Sequence, residues 1–239
     1  MELFESAGLE FAARYGHVIS GITWVGLLYY FNFVQVPAST AFEAGARTEV
    51  TTKLVPRALW WFRWGAVLTL VFGLWLFIQQ EQYDTDYMKT VPGLSITAGI
   101  LFALIMFVNV WAVIWPAQQR VIANAEGVLA GREPDPEVPA LARRAACASR
   151  TNTLLSIPML FLMVATSHFA PLFGLTGGGD RVVWWLAILV IAVAAEGIAL
   201  SSPPAGAPQA WHIDQHRNTI IAGFGLLVVI YLLMEILFG

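Results

Sequence analysis

Apolar residues in this chain gather into six long runs that carry few charges: Ala13 to Val36, Leu59 to Gln79, Leu94 to Trp115, Thr153 to Phe173, Val182 to Leu200 and Thr219 to Phe238. Runs of roughly 18 or more apolar residues match the helix needed to cross a hydrocarbon core about 30 Å thick. The pattern therefore predicts an all-α fold, a polytopic transmembrane helix bundle of six spans forming a single domain over residues 1–239. The first run is too long and too rich in aromatics, with no small-residue cleavage site behind it, to be a removable leader.

Composition agrees with the pattern. Hydrophobic residues make up 58% and charged residues 12%, with ten Trp and fifteen Phe, whereas a soluble domain carries about a quarter charged residues. Positive charge is unevenly spread between the connections. Arg47, Lys53 and Arg57 follow the first span, and Arg120, Arg132, Arg143, Arg144 and Arg150 follow the third. The connection after the second span has only Lys89 beside Glu81, Asp84 and Asp86, and the one after the fourth only Arg181. Lys and Arg mark the cytoplasmic side, so both termini are expected on the periplasmic face of a bacterial inner membrane. The stretch from Ala117 to Arg150, interrupted by the Pro-rich Glu133 to Pro139, predicts a helical extension, a turn and a helical approach to the fourth span. Cys147 is the only cysteine, which excludes an intrachain disulfide and a Cys-x-x-Cys-His haem attachment. The positive charge sits where membrane orientation requires it, and with a net charge of -3 nothing points to nucleic acid.

All four histidines lie at or just inside the ends of apolar runs, where an imidazole is costly unless it is hydrogen-bonded, ligates something or lines a wet cavity. At about 100° per residue, His17, Gly21 and Trp24 share a face, with Gln35 further along it. Gly21 removes bulk one turn from the imidazole. That leaves room for a flat macrocycle or for another helix, and two readings stand: a cofactor face, or a hydrogen-bonded histidine on a packing face with Gly21 and Gly26. His168 nears the same membrane face under the expected topology. His17 and His168 are thus candidate axial ligands of one b-type haem, the other reading of His168 being an interfacial residue at a helix end.

A second candidate site, for substrate, quinone or a metal, gathers around Trp211-His-Ile-Asp-Gln-His216. His212 and His216 are four apart, hence on one helical face, and Thr219 and Gly223 continue that stripe inward. Glu196 on the fifth span is a candidate ionic partner, and Arg57 and Arg63 are candidate cations beside Trp60, Trp61 and Trp64. A solvated helix start and ordinary interfacial anchoring explain the same residues without a ligand. No catalytic base or nucleophile stands out. Nor does any span pair carboxylates or break at Gly and Pro in an inverted repeat, as a transporter would.

Four segments, His17-Val-Ile-Ser-Gly-Ile-Thr-Trp-Val-Gly-Leu-Leu-Tyr-Tyr-Phe-Asn-Phe, Pro56-Arg-Ala-Leu-Trp-Trp-Phe-Arg-Trp, Asn109-Val-Trp-Ala-Val-Ile-Trp-Pro and Asn152-Thr-Leu-Leu-Ser-Ile-Pro-Met-Leu-Phe-Leu-Met, resemble the membrane (N-terminal) domain of the PuuD-type membrane-bound urate oxidases. The first is also similar to the His-x3-Gly/Ala-x2-Trp opening of small haem-binding membrane proteins. The resemblance implies a redox role. A purine-like anion or a reduced quinone would be oxidised, and electrons would leave through haem to a separate cytochrome c; by charge, the acidic loop of Glu81, Asp84 and Asp86 is the expected place for it to dock. In that family a cytochrome c domain follows the membrane domain, so this chain reads as a short form. The competing, non-enzymatic expectation is an accessory subunit packed against a larger respiratory or photosynthetic complex.

Overall fold

A computed structural model describes residues 5–169 and 179–239. Among them six helices are long and apolar enough to cross a membrane: α1 (Ser6–Ser39), α2 (Ala44–Gln79), α3 (Val91–Leu129), α4 (Val138–His168), α5 (Arg181–Ser201) and α6 (His216–Phe238). No strand occurs among the described residues, and the all-α expectation holds. The expected fourth span ends at Phe173, outside the described residues. Several helices overrun the apolar runs at their polar ends, because hydropathy reports the hydrocarbon layer and the helix continues wherever its hydrogen bonds do. Between α3 and α4 the expected extension, turn and approach are present. Gly131, at φ 79°, lets the chain reverse while the Arg132 N–H returns to the Gly127 carbonyl at 2.9 Å. Arg120 then ties the turn to Asp135 at 2.6 Å.

Proline shapes three of the helices in one way. Tyr30–Gln35, Val50–Leu54 and Asn109–Ile114 are π-helical, and they precede Pro37, Pro56 and Pro116. A proline offers no N–H, and its ring presses on the carbonyl four residues back, so the preceding turn widens. Pro158 inside α4 is accommodated differently. The Leu154 carbonyl that its missing N–H leaves unclaimed faces Gly223 of α6, where an added Cβ would stand 3.1 Å from that oxygen.

The chain forms two compact units. The first is the described part of Met1–Gln80 together with Phe107–Ser149. In it α1 packs along α2 through Gly65, Thr69 and Gly73, a strip of small residues four apart that lets backbones approach. A Cβ on Gly65 would lie 3.2 Å from the Trp24 backbone nitrogen. Trp24, Leu28, Leu59, Phe62 and Ala66 fill the contact. Asn32, buried in the first π stretch, donates to the Leu28 carbonyl and to Ser149 Oγ, both at 2.8 Å.

The second unit is Glu81–Met106 with Arg150–Gly239. Ser95 of α3 donates to the Leu162 carbonyl of α4 at 3.0 Å, and Asn152 Nδ2 of α4 donates to the Met106 carbonyl of α3 at 2.9 Å. On α4's other flank Phe161 meets Tyr231 of α6 edge to face, and Trp184 of α5 meets Phe238 of α6 likewise. Of the six spans α4 is the most enclosed, with 67% of its apolar window buried against 17% for α6, although its mean hydropathy is 1.2 against 2.6.

At the start of α3, Gly93 is wedged under the preceding turn: a Cβ there would fall 2.0 Å from the Tyr87 carbonyl oxygen and 2.8 Å from Met88 Cα. Both obstacles are backbone, so Gly93→Ala is expected to destabilise the purified chain by about 3 kcal/mol. Gly26→Ala, where nothing lies within 4 Å, should leave the thermal midpoint unchanged or slightly raised. Equal midpoints for the two variants would refute the packing of this turn.

Candidate functional site

His17 sits on the face of α1 that meets α2. Its Nδ1 lies 2.9 Å from the Thr69 carbonyl oxygen, which fixes the proton on that nitrogen as the donor. Nε2 has no partner among the described residues and keeps its lone pair. Thr69 is held in turn by its own hydroxyl, which donates to the Gly65 carbonyl at 2.7 Å. Gly73 is what gives the ring its berth, since a Cβ there would meet the imidazole Cε1 at 3.0 Å and Nδ1 at 3.1 Å. Beside Gly21 there is open space, with Thr69 Cγ2 at 4.0 Å as the one neighbour. Trp24 is fully enclosed, and its indole N–H has no acceptor among the described residues. Gly26 is exposed with nothing within 4 Å, so the packing glycines are Gly65 and Gly73 on the opposite helix and Gly16 beside His17, where a Cβ would fall 2.7 Å from the Phe72 ring. The spacing of Gly65 and Gly73, with Thr69 between them, was the available sign.

An imidazole that donates through Nδ1 to a carbonyl and leaves Nε2 open is in the state in which protein histidines ligate metals. His17 could therefore hold a metal or a haem iron through Nε2. His168 belongs to the second unit, where it closes α4 and is exposed.

The two arginines of α2 differ. Arg57 is exposed in a shallow groove lined also by Pro56, Trp60 and Trp61, which matches interfacial anchoring. Arg63 lies under cover, its guanidinium carbon 3.8 Å from the Trp115 ring centroid and 5.7 Å from that of Trp111. Its charge lies over aromatic faces, and its Nε is enclosed with no acceptor among the described residues.

Around Trp211 the structure corrects the expected stripe. His212 lies in a one-turn helix, Trp211–Asp214, and Gln215 is extended at φ -123° and ψ 130° before α6 begins at His216. The side chains of Asn218 and Thr219 take the carbonyls of Trp211 and His212, replacing the backbone bonds that would have run the helix through. His212 and His216 are thus not successive positions on one helix face. Partial burial holds the His212 ring below the usual imidazole pKa, against the pull of the Asp214 carboxylate. Asp214 accepts from the Gly206 N–H at 2.8 Å, and Glu196 is half-buried on α5. Among the described residues no three His, Cys, Asp or Glu side chains gather as a metal site.

In the acidic loop, Asp84 accepts the N–H groups of Asp86 and Tyr87 at 2.7 and 3.1 Å and so builds the turn. Asp86 pairs with Lys89 at 2.9 Å, and that hydrogen bond holds its carboxyl below the ordinary carboxylate range. Two of the three charges expected to greet a partner are engaged locally.

The polar centre of the second unit was not anticipated. Arg150, counted above as a loop charge, is inside α4 with 6% of its surface exposed, and Thr151, Asn152, Thr153 and Ser156 behind it are buried as well. Asn152 and Ser156 are hydrogen-bonded. Arg150 Nη1 and Thr151 Oγ1 are enclosed without a partner among the described residues, and no carboxylate pairs with the guanidinium. A buried charge left in that state costs roughly 3–5 kcal/mol. The sign in the sequence was the run Arg-Thr-Asn-Thr at the head of an apolar stretch.

Comparison with known proteins adds one finding. Residues 87–201 match the family model described as urate oxidase N-terminal. No curated protein and no solved structure matches the chain. The matched stretch takes in α3, α4 and α5, with the buried polar run of α4 inside it, and stops short of His17, Arg63, His212 and His216. From residue 87 to residue 201, just under half of its length, the chain is similar to the urate oxidase N-terminal family.

Proposed function

We propose that this chain is an integral-membrane redox protein that takes electrons from a small purine-like substrate or a reduced quinone (quinol) and passes them to a separate cytochrome c. The family match over residues 87–201 carries the reading. The state of His17 supports a haem b in it. His17 would hold the iron through Nε2, because Nδ1 is committed to the Thr69 carbonyl. That bond sets the tautomer, orients the ring and raises the basicity of the ligating nitrogen. Gly73 seats the ring, and the open space at Gly21 leaves its neighbourhood accessible. A b-type haem, when bound, supplies one-electron transfer. His168, the expected opposite ligand, has no hydrogen bond or ring contact among the described residues that favours ligation. The membrane is read as a bacterial inner membrane with both termini periplasmic, on the asymmetry of Lys and Arg between the connections.

In a reduced-minus-oxidised spectrum of the purified protein, His17→Ala is expected to abolish the b-type band while the chain still inserts. A full haem complement in that variant would refute the ligand, and His168→Ala measured alongside decides the opposite position. For topology, a cysteine at Asp84 should react with a membrane-impermeant thiol reagent from the periplasmic side. Reaction from the cytoplasm alone would invert the orientation. The native Cys147 is fully buried and does not compete.

A further inference from the structure

We propose that Arg150 and Thr151 form an anion-binding site within the protein interior, taking a small anion that presents oxygen acceptors. An arginine side chain does not lose its proton in a protein, so its charge persists at a residue that is 6% exposed. Water does not reach Nη1, and no carboxylate of the described residues stands within ion-pair distance. Helix α4 itself contains neither Asp nor Glu. Other arginines of the chain are engaged: Arg14 with Glu10, Arg120 with Asp135, Arg47 and Arg181 with backbone carbonyls, and Arg63 with Trp115. A persistent, enclosed cation without a counter-charge implies an anion that is not part of the chain.

Thr151 points to the same conclusion by a separate route. A threonine inside a helix ordinarily returns its hydroxyl to the carbonyl four residues back, and here Thr69, Thr97 and Thr166 do so. Thr151, 1% exposed, does not, and its hydroxyl has no partner among the described residues. The two unsatisfied groups are adjacent in the chain, and one of them carries full positive charge. A guanidinium and a hydroxyl together favour an oxyanion over a cation or a neutral ligand. The Asn152 amide beside them is already held by the Met106 carbonyl, which keeps this part of α4 rigid. The anion has two sources, the substrate's own anionic form, which rests on the function proposed above, or a free carboxylate or phosphate, which does not.

The test is thermal unfolding of the full chain in detergent, in buffer without oxyanions and then with formate, inorganic phosphate or urate. A saturating anion should raise the midpoint of the native protein by about 5 °C or more. Arg150→Gln should lose that rise and, with oxyanions absent, be at least as stable as the native chain, since the uncompensated charge is gone. Thr151→Val should keep the oxyanion-free midpoint and weaken anion affinity at least about threefold. A rise with urate alone assigns the site to the substrate; a comparable rise with formate or phosphate assigns it to a general anion. Both support the site, and a missing haem band alongside either one would overturn the proposed function without touching it. Three results overturn the site: no rise with any of the three anions, the same rise in all variants, or a fall in the oxyanion-free midpoint of Arg150→Gln. If Arg150→Gln does not fold, Arg150→Lys and Thr151→Val decide, and undiminished anion affinity in both overturns the proposal.

Discussion

A membrane interior offers no water to polar groups, so every donor and acceptor carried across it must be met by protein. That constraint orders the second unit. Its least apolar span, α4, is also its most enclosed, with apolar α5 and α6 exposing most of their own surface. Asn152 to the Met106 carbonyl and Ser95 to the Leu162 carbonyl join α3 to α4 through polar side chains that are themselves buried. In a soluble protein a helix with Arg-Thr-Asn-Thr in it would turn that segment outward; here outward is hydrocarbon, and the segment turns in.

Where helices meet without a hydrophobic driving force, contact depends on how closely backbones approach. The first unit achieves this with Gly65, Thr69 and Gly73, and His17 occupies the space the last of these leaves. The histidine's tautomer is thus a by-product of packing: the Thr69 carbonyl that receives Nδ1 is brought into range by the same strip of small residues. In the second unit the same end is reached at Gly223, opposite the carbonyl that Pro158 leaves without its usual donor. Small residues and prolines together determine which backbone oxygens are available for anything beyond the helix.

The six spans were legible because transfer into hydrocarbon is nearly additive along a run of residues, and no tertiary knowledge is needed to sum it. The face holding His17, Gly21 and Trp24 was legible for a related reason, a fixed angle per residue inside an unbroken α-helix. Gln35, assigned to that face by the same arithmetic, lies beyond the start of a π-helical stretch that lags the regular helix by about one residue. His212 and His216 failed similarly, since spacing by four has meaning only while the helix continues, and Gln215 ends it. Arg150 was hidden by the rule that made the topology readable. An arginine next to an apolar run looks like an anchor, and only the continuation of α4 through it, with protein on all sides, shows that it is interior.

The enclosure of α4 also bears on how the protein is made. A strongly apolar segment can leave the insertion machinery for lipid on its own, but a central Arg costs a nascent helix roughly 2.5–3.5 kcal/mol on insertion scales, and that cost falls toward the helix ends. Segments such as α5 and α6 have mean hydropathies of 2.3 and 2.6, whereas α4, at 1.2, also carries Arg150. Asn152 of its polar run is met by the Met106 carbonyl and Ser95 of α3 by the Leu162 carbonyl, so pairing with α3 lowers the cost of bringing α4 into the bilayer. The residues that form the polar centre thus tie the insertion of α4 to the presence of its neighbour α3.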